Sequence, residues 1–141
     1  MRYFSQEKSF MARAKQALAQ EGTRSETARQ VLTEAVLRAA AILNVTQADL
    51  ARILGLSPAS VSRMAAGRYL LDPAAKEWQL AALFVRLFRS LDSITGGSEE
   101  HARRWLHSAN SGLAGTPAAM LHEIDSFVRV VHYLDASRAR I

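Results

Sequence analysis

Residues 46–68, TQADLARILGLSPASVSRMAAGR, decide the fold of this chain. Leu50, Ala51 and Leu54 recur at helical spacing and make one apolar stripe. Thr46 precedes the stripe, where a hydroxyl can accept a bond from an unpaired amide of the first turn. Gly55 follows Leu54, where a left-handed helix ending needs a residue without a Cβ. Leu56 then turns inward. Ser57 caps a second helix, and Pro58 fits its first position because it has no amide to lose. Val61 and Met64 point back toward Leu50 and Leu54, and Gly67 ends the second helix. Ala51 sets the geometry, since a larger side chain would push the two helices out of their near-perpendicular crossing. Together these residues predict a helix-turn-helix.

The outward face of the second helix is then Ser57, Ala59, Ser60, Ser62 and Arg63. A helix of this kind presents its first turns to base edges in the major groove, so duplex DNA is the first partner to consider. Arg63 can read a guanine through two hydrogen bonds or hold a phosphate; both roles are open to it. Ser60 and Ser62 can do either more weakly, and Ala59 can touch a thymine methyl. Gln47 opens the first helix, where it can bond a phosphate or brace its neighbour. Arg68 adds positive charge just past the second helix. The segment resembles the Cro and phage-repressor type of helix-turn-helix, the Xre type.

Composition frames this reading. The chain has 141 residues, 49% of them hydrophobic, and a net charge of +5 that suits a polyanionic partner. The charge is not concentrated in the motif, where Arg52, Arg63 and Arg68 face Asp49 and Asp72. A weakly basic monomer holds DNA poorly, so a homodimer is expected. The chain has no cysteine, which excludes disulfides, thiol catalysis and thiolate zinc sites and fits a reducing cytoplasm. MRYFSQEKSF at the start lacks the apolar core of a signal peptide, and no apolar run is long enough to span a membrane.

The remainder reads as helix nearly throughout, giving an all-α protein. Residues 6–20 predict a helix with a weak apolar face at Phe10, Met11, Ala14 and Leu18. EGTRSE, residues 21–26, reads as a break, and Ser25 to Leu43 as a longer helix with Ala28, Val31, Leu32, Ala35, Val36 and Ala39 inward. Asp72-Pro73 marks a boundary. Trp78 to Ile94 is apolar enough to serve both a core and a second copy, with Trp78, Phe84 and Phe88 as the interface candidates. The expected organisation is an N-terminal segment over residues 1–22, a DNA-binding bundle over 23–74, a connecting and dimerisation helix over 75–98, and a small helical domain over 99–141.

In the last of these, Glu99 to His107 predicts a helix with Ala102, Trp105 and Leu106 on one side. An irregular stretch follows from Ser108 to Thr116. Pro117 then opens one further helix, with Met120, Leu121, Ile124 and Phe127 as core and Val128, Val130, Val131 and Leu134 continuing it. An Xre-like motif followed by WLHSANSGLAGTPAAML and a valine-rich helix resembles the Xre/MbcA/ParS antitoxins over residues 40–141. The matching positions are Ala102, Trp105, Leu106, Asn110, Leu113, Gly115 and Pro117. Ala114 departs from the pattern, standing where the first glycine of the turn is common, as does Ser126, standing where a glycine often precedes the valine helix.

The resemblance implies a Cro-like helical bundle followed by a toxin-binding domain. It also implies a cognate RES-domain toxin that consumes NAD or uses it to modify a protein, occlusion of that toxin's active site, and autorepression at an operator. Trp105, Asn110, Arg138, Arg140 and Ile141 are then the candidate toxin contacts. Arg138 and Arg140 suit a pocket made for an anionic dinucleotide, although a solvated terminus is the plainer reading of a chain end. The alternative is a stand-alone repressor whose C-terminal part only dimerises or senses a ligand.

Other constellations are weak. His122-Glu123 lacks the second histidine of a zinc helix, because Ser126 takes its place, so no metal is expected. His101 and His107 read as surface or interface residues. Gly112 to Gly115 lacks a preceding strand and a P-loop lysine, and no nucleophile elbow is present. Neither a cofactor nor catalysis is expected.

Overall fold

The computed structural model describes residues 2–140, with side chains from Ser5 onward. Its described residues form seven helices: α1 (Arg2–Ile42), α2 (Gln47–Leu54), α3 (Pro58–Ala65), α4 (Lys76–Ile94), α5 (Glu99–His107), α6 (Pro117–Met120) and α7 (Ile124–Ala139). Helix α4 is the hub, packing against α1, α2, α5 and α7. Its buried residues Ala81, Phe84, Val85, Leu87 and Leu91 serve both halves of the molecule. Phe84 is fully buried inside this single chain, so it cannot be the interface residue the sequence suggested. Trp78 and Phe88 are half-buried and keep accessible surface.

The helix-turn-helix forms as its local signals dictate. Thr46 Oγ1 accepts from the Asp49 amide at 3.1 Å, and Ser57 Oγ accepts from the Ser60 amide at 3.1 Å. Gly55 ends α2 at φ 69°, a left-handed conformation that costs other residues about 1–2 kcal/mol. Leu50, Ala51, Ile53, Leu54, Val61 and Met64 are buried between α2 and α3 and their neighbours.

Helix α1 departs from expectation. It runs unbroken through Glu21–Glu26, where the sequence suggested a break. A glycine inside a helix costs only about 1 kcal/mol relative to alanine, and no proline follows Gly22. The nearby hydroxyls are accommodated within the helix: Thr23 Oγ1 donates to Ala19 O and Thr27 Oγ1 to Thr23 O, each at 3.0 Å. Of the inward positions expected, Val36 and Ala39 are buried, Leu32 and Ala35 half-buried, and Ala28 and Val31 exposed. Ala40 and Leu43 complete the buried face.

The last helix also differs. Leu121 to Glu123 interrupt it, separating α6 from α7, and the Ser126 hydroxyl donates to Met120 O and Glu123 O across the interruption. Rotation at this kink buries Leu121 and leaves Ile124 60% exposed, so Ile124 is not core.

The loop after α3 is held by polar contacts that periodicity does not reveal. The Arg29 guanidinium donates to Leu71 O at 2.8 Å and Leu70 O at 3.2 Å, and the Leu71 amide donates to Thr33 Oγ1 at 3.1 Å. Tyr69 donates its hydroxyl to the buried Glu77 carboxylate, whose Oε2 also accepts from the Asp72 amide at 3.0 Å. Burial, and then the Glu77 carboxylate, push the Tyr69 hydroxyl up from 10.0 to about 12. The stability gained from keeping this phenol neutral is complete below pH 10 and is lost as pH rises toward 12. Tyr69→Phe should cost about 1–3 kcal/mol at neutral pH in urea unfolding, by removing a bond to a charged group. The gap between wild type and variant should narrow between pH 10 and pH 12.

Candidate functional site

Two exposed surfaces carry the residues singled out by sequence. The first is the outer face of α3. Ser57, Ala59, Ser62, Arg63 and Arg68 are exposed there, and Ser60 is half-buried. The serines are not free of one another. The Ser57 hydroxyl donates to Ser60 Oγ at 3.0 Å, and Arg63 Nη2 donates to the same Oγ at 3.2 Å. Arg63 is thus folded back along its own helix, and reaching a base or phosphate would release a weak exposed contact. Gln47 is exposed at the start of α2 and shares a shallow groove with Leu37, Val45 and Ala65. The structure therefore sets Gln47 toward the far end of α3, away from Ser57.

The second surface is built by α5, α7 and the loop between α5 and α6. Trp105 is half-buried and stacks on Tyr133 of α7, with ring centroids 6.3 Å apart and planes 27° apart. Asn110 pairs its backbone with Gly115, at 2.9 Å and 3.2 Å, while its side-chain oxygen accepts from the Leu113 amide at 3.2 Å. The Arg129 guanidinium holds the Leu113 carbonyl, and Leu113 itself is buried. Asn110 therefore shapes the loop from within, and its side-chain oxygen is already engaged. Arg138 lies in the last turn of α7 and Arg140 caps it; both are exposed. Ile141 lies outside the described residues. Just before this tail Asp135 pins α7 to α4, through an ion pair with Arg86 and a 3.0 Å bond from the buried Ser90.

Sequence reading missed the contacts that join the two surfaces. The end of α1 has carbonyls with no partner in the helix. Arg103 Nη1 donates to Ile42 O at 3.1 Å, and His107 Nε2 bonds Leu43 O at 2.8 Å, both side chains coming from α5. His122 Nε2 lies 3.6 Å from Asp49 of α2. Of the two histidines read as surface or interface residues, His107 bridges the halves of the chain, and His122 does so as well. A histidine eight residues beyond a helix start carries no local mark of such a role. Among the described residues no group of His, Asp and Glu has the makeup of a metal site.

Two loop positions explain their residue types. A Cβ on Gly112 would lie 2.9 Å from the Tyr133 hydroxyl and 3.3 Å from Asn110 Oδ1, so the glycine permits the close approach of α7. Ala114 takes φ 56°, a left-handed conformation unfavourable for alanine. Ala114→Gly should therefore raise stability by about 0.5–1 kcal/mol in chemical denaturation. Gly112→Ala should lower it and perturb the near-ultraviolet signal of the Trp105–Tyr133 stack.

Comparisons with known proteins agree with this architecture. Residues 24–86 match the family described as the antitoxin Xre-like helix-turn-helix domain. Residues 90–140 match the antitoxin Xre/MbcA/ParS C-terminal toxin-binding domain. No curated protein matches the chain significantly. A chain in the crystal structure of the M. tuberculosis MbcT–MbcA toxin–antitoxin complex is similar in fold, with a TM-score of 0.59 and 25% identity. The match covers 79% of this chain and 96% of that one. With a helix-turn-helix and a toxin-binding domain in this order, packed on a shared α4, the chain belongs to the Xre/MbcA/ParS antitoxins.

Proposed function

We propose that this chain neutralises a RES-domain toxin that consumes NAD, by occluding its active site, and that it represses its own operon by binding operator DNA. It acts in the cytoplasm, as the partner of a toxin encoded beside it. The observation that carries the reading is that one helix, α4, packs both against α2, which carries α3 with its exposed face, and against α7, which carries an exposed basic end. The chain itself has no catalytic role in this reading.

The two arginines of the tail fit the occlusion step. Asp135 fixes α7 to α4 one turn before Arg138, so the end of the helix projects from a braced position. A pocket that takes NAD must accommodate a pyrophosphate, and guanidinium groups pair with the acidic or polar groups lining such a pocket. Trp105, with Tyr133 behind it, gives a flat aromatic surface of the kind enriched in protein interfaces. On the DNA side, Arg63 is the principal reader, with Ser57, Ala59, Ser60 and Ser62 beside it and Gln47 and Arg68 positioning the backbone.

The neighbouring gene should be toxic alone, deplete intracellular NAD, and become harmless when this chain is co-expressed. Arg138→Ala with Arg140→Ala should then restore toxicity while leaving operator binding within about twofold in a gel-shift titration. A harmless neighbour would exclude the toxin reading and leave a stand-alone repressor. Arg63→Ala should weaken operator binding by about 1–3 kcal/mol if it reads a base, and wild-type binding should fall steeply with salt. An unchanged affinity would remove Arg63 from the reading face.

A further inference from the structure

From Ser5 onward, the first half of α1 is left uncovered by the described residues of the chain. Apart from Ala14 and Arg29, every residue from Ser5 to Val31 is exposed. Phe10, Met11, Leu18 and Val31 are among them, at 69%, 54%, 67% and 62% exposure. The projecting part also lies almost wholly outside the two matched domains, which begin at residue 24. Isolated helices are marginal in water even when their residues favour helix, so an amphipathic segment this long needs a surface to cover it.

The sequence of α1 specifies that surface. Glu7, Phe10, Ala14, Ala17, Glu21, Arg24, Ala28, Val31, Ala35 and Arg38 alternate at spacings of three and four, which places them along one seam. At its inner end the seam enters an open groove between α1 and α4, lined by Val31, Glu34, Ala35, Arg38, Val85 and Phe88. We propose that a second copy of the chain covers this seam, its α1 running antiparallel about a two-fold axis between Gly22 and Thr23. This reading rests on α1 alone and is independent of the toxin assignment.

Charge fixes both the direction and the register. With the axis there, Glu21 of one copy opposes Arg24 of the other and Glu7 opposes Arg38, each twice by symmetry. Between these pairs Ala17 meets Ala28 and Ala14 meets Val31, small enough for close approach of the helices. Phe10 meets Ala35 and enters the groove beside Val85 and Phe88. On one flank Arg13 faces Glu34 and Gln20 faces Thr27. On the other, Met11 faces Leu32 and Leu18 faces Ser25. All four large apolar side chains that α1 exposes among the described residues, Phe10, Met11, Leu18 and Val31, are covered by this one arrangement. A parallel pair would oppose Glu21 to Glu21 and Arg24 to Arg24. Sliding the antiparallel pair by one heptad sets Glu21 against Ala17 or Val31 and Arg24 against an alanine. Charged residues near a helical seam select partner and orientation in this way.

The absence of cysteine makes the geometry directly readable. In the full-length chain, without DNA or toxin, sedimentation equilibrium should give a dimer. An oxidised mixture of Ala17→Cys and Ala28→Cys chains should yield a mixed disulfide dimer, while neither variant alone should cross-link efficiently. Glu21→Arg should raise the dimer dissociation constant at least about tenfold, and adding Arg24→Glu in the same chain should restore it. Circular dichroism, with Trp78 and Trp105 as reporters outside α1, checks that the folded body is intact. A monomeric wild type, self-cross-linking of Ala17→Cys alone, or a dimer indifferent to Glu21→Arg would each overturn the proposal.

Discussion

The structure depends on α4 being buried from two sides. Its Phe84 and Leu87 have no exposed surface. The helix-turn-helix bundle packs α1 and α2 on it, and the C-terminal half packs α5 and α7 on it. Burying such large side chains contributes about 1.5–3 kcal/mol each, on a helix that elements of both halves pack against. The helix-turn-helix and the toxin-binding domain are therefore thermodynamically coupled, although sequence matching divides them between residues 86 and 90.

Polar contacts then define the geometry that apolar packing leaves loose. Arg29, Thr33, Tyr69 and Glu77 position the loop that leaves α3, each through a bond to a backbone group or to one buried carboxylate. Asp135, Arg86 and Ser90 do the same for the end of α7. In both places the polar lock lies next to a surface assigned a partner. Such locks keep exposed functional residues at fixed positions without adding bulk to the surface itself.

What could be read from the sequence follows from how local each cause is. Thr46, Gly55, Ser57 and Pro58 act on their own turn, and each appears in its expected role. The bounds of α5 and the start of α6 were equally legible, because Ser98 and Pro117 are local signals. The unbroken course of α1 was not, since Gly22, Thr23 and Ser25 weaken a helix without forbidding it. The loss of Ile124 from the expected core goes with a kink at which Ser126 bonds a carbonyl six residues back. Phe84 reads as surplus only until both halves are seen to share it. At the candidate sites, the identity of the exposed face of α3 was legible from periodicity. The bond from Arg63 to Ser60 and the internal use of Asn110 depend on rotamer and loop geometry, which spacing does not encode.

The junction between the halves has a further property. Arg103 and His107 grip carbonyl oxygens of Ile42 and Leu43, and every residue carries such an oxygen. Recognition at this seam is therefore blind to the side chains it touches. The side chains at the end of α1, Ala39, Ala40 and Leu43, answer to the core they are buried in, and α5 docks on their backbone whatever they are. A junction written in backbone atoms lets the helix-turn-helix face and the toxin-binding domain change at separate rates within a single cooperative fold.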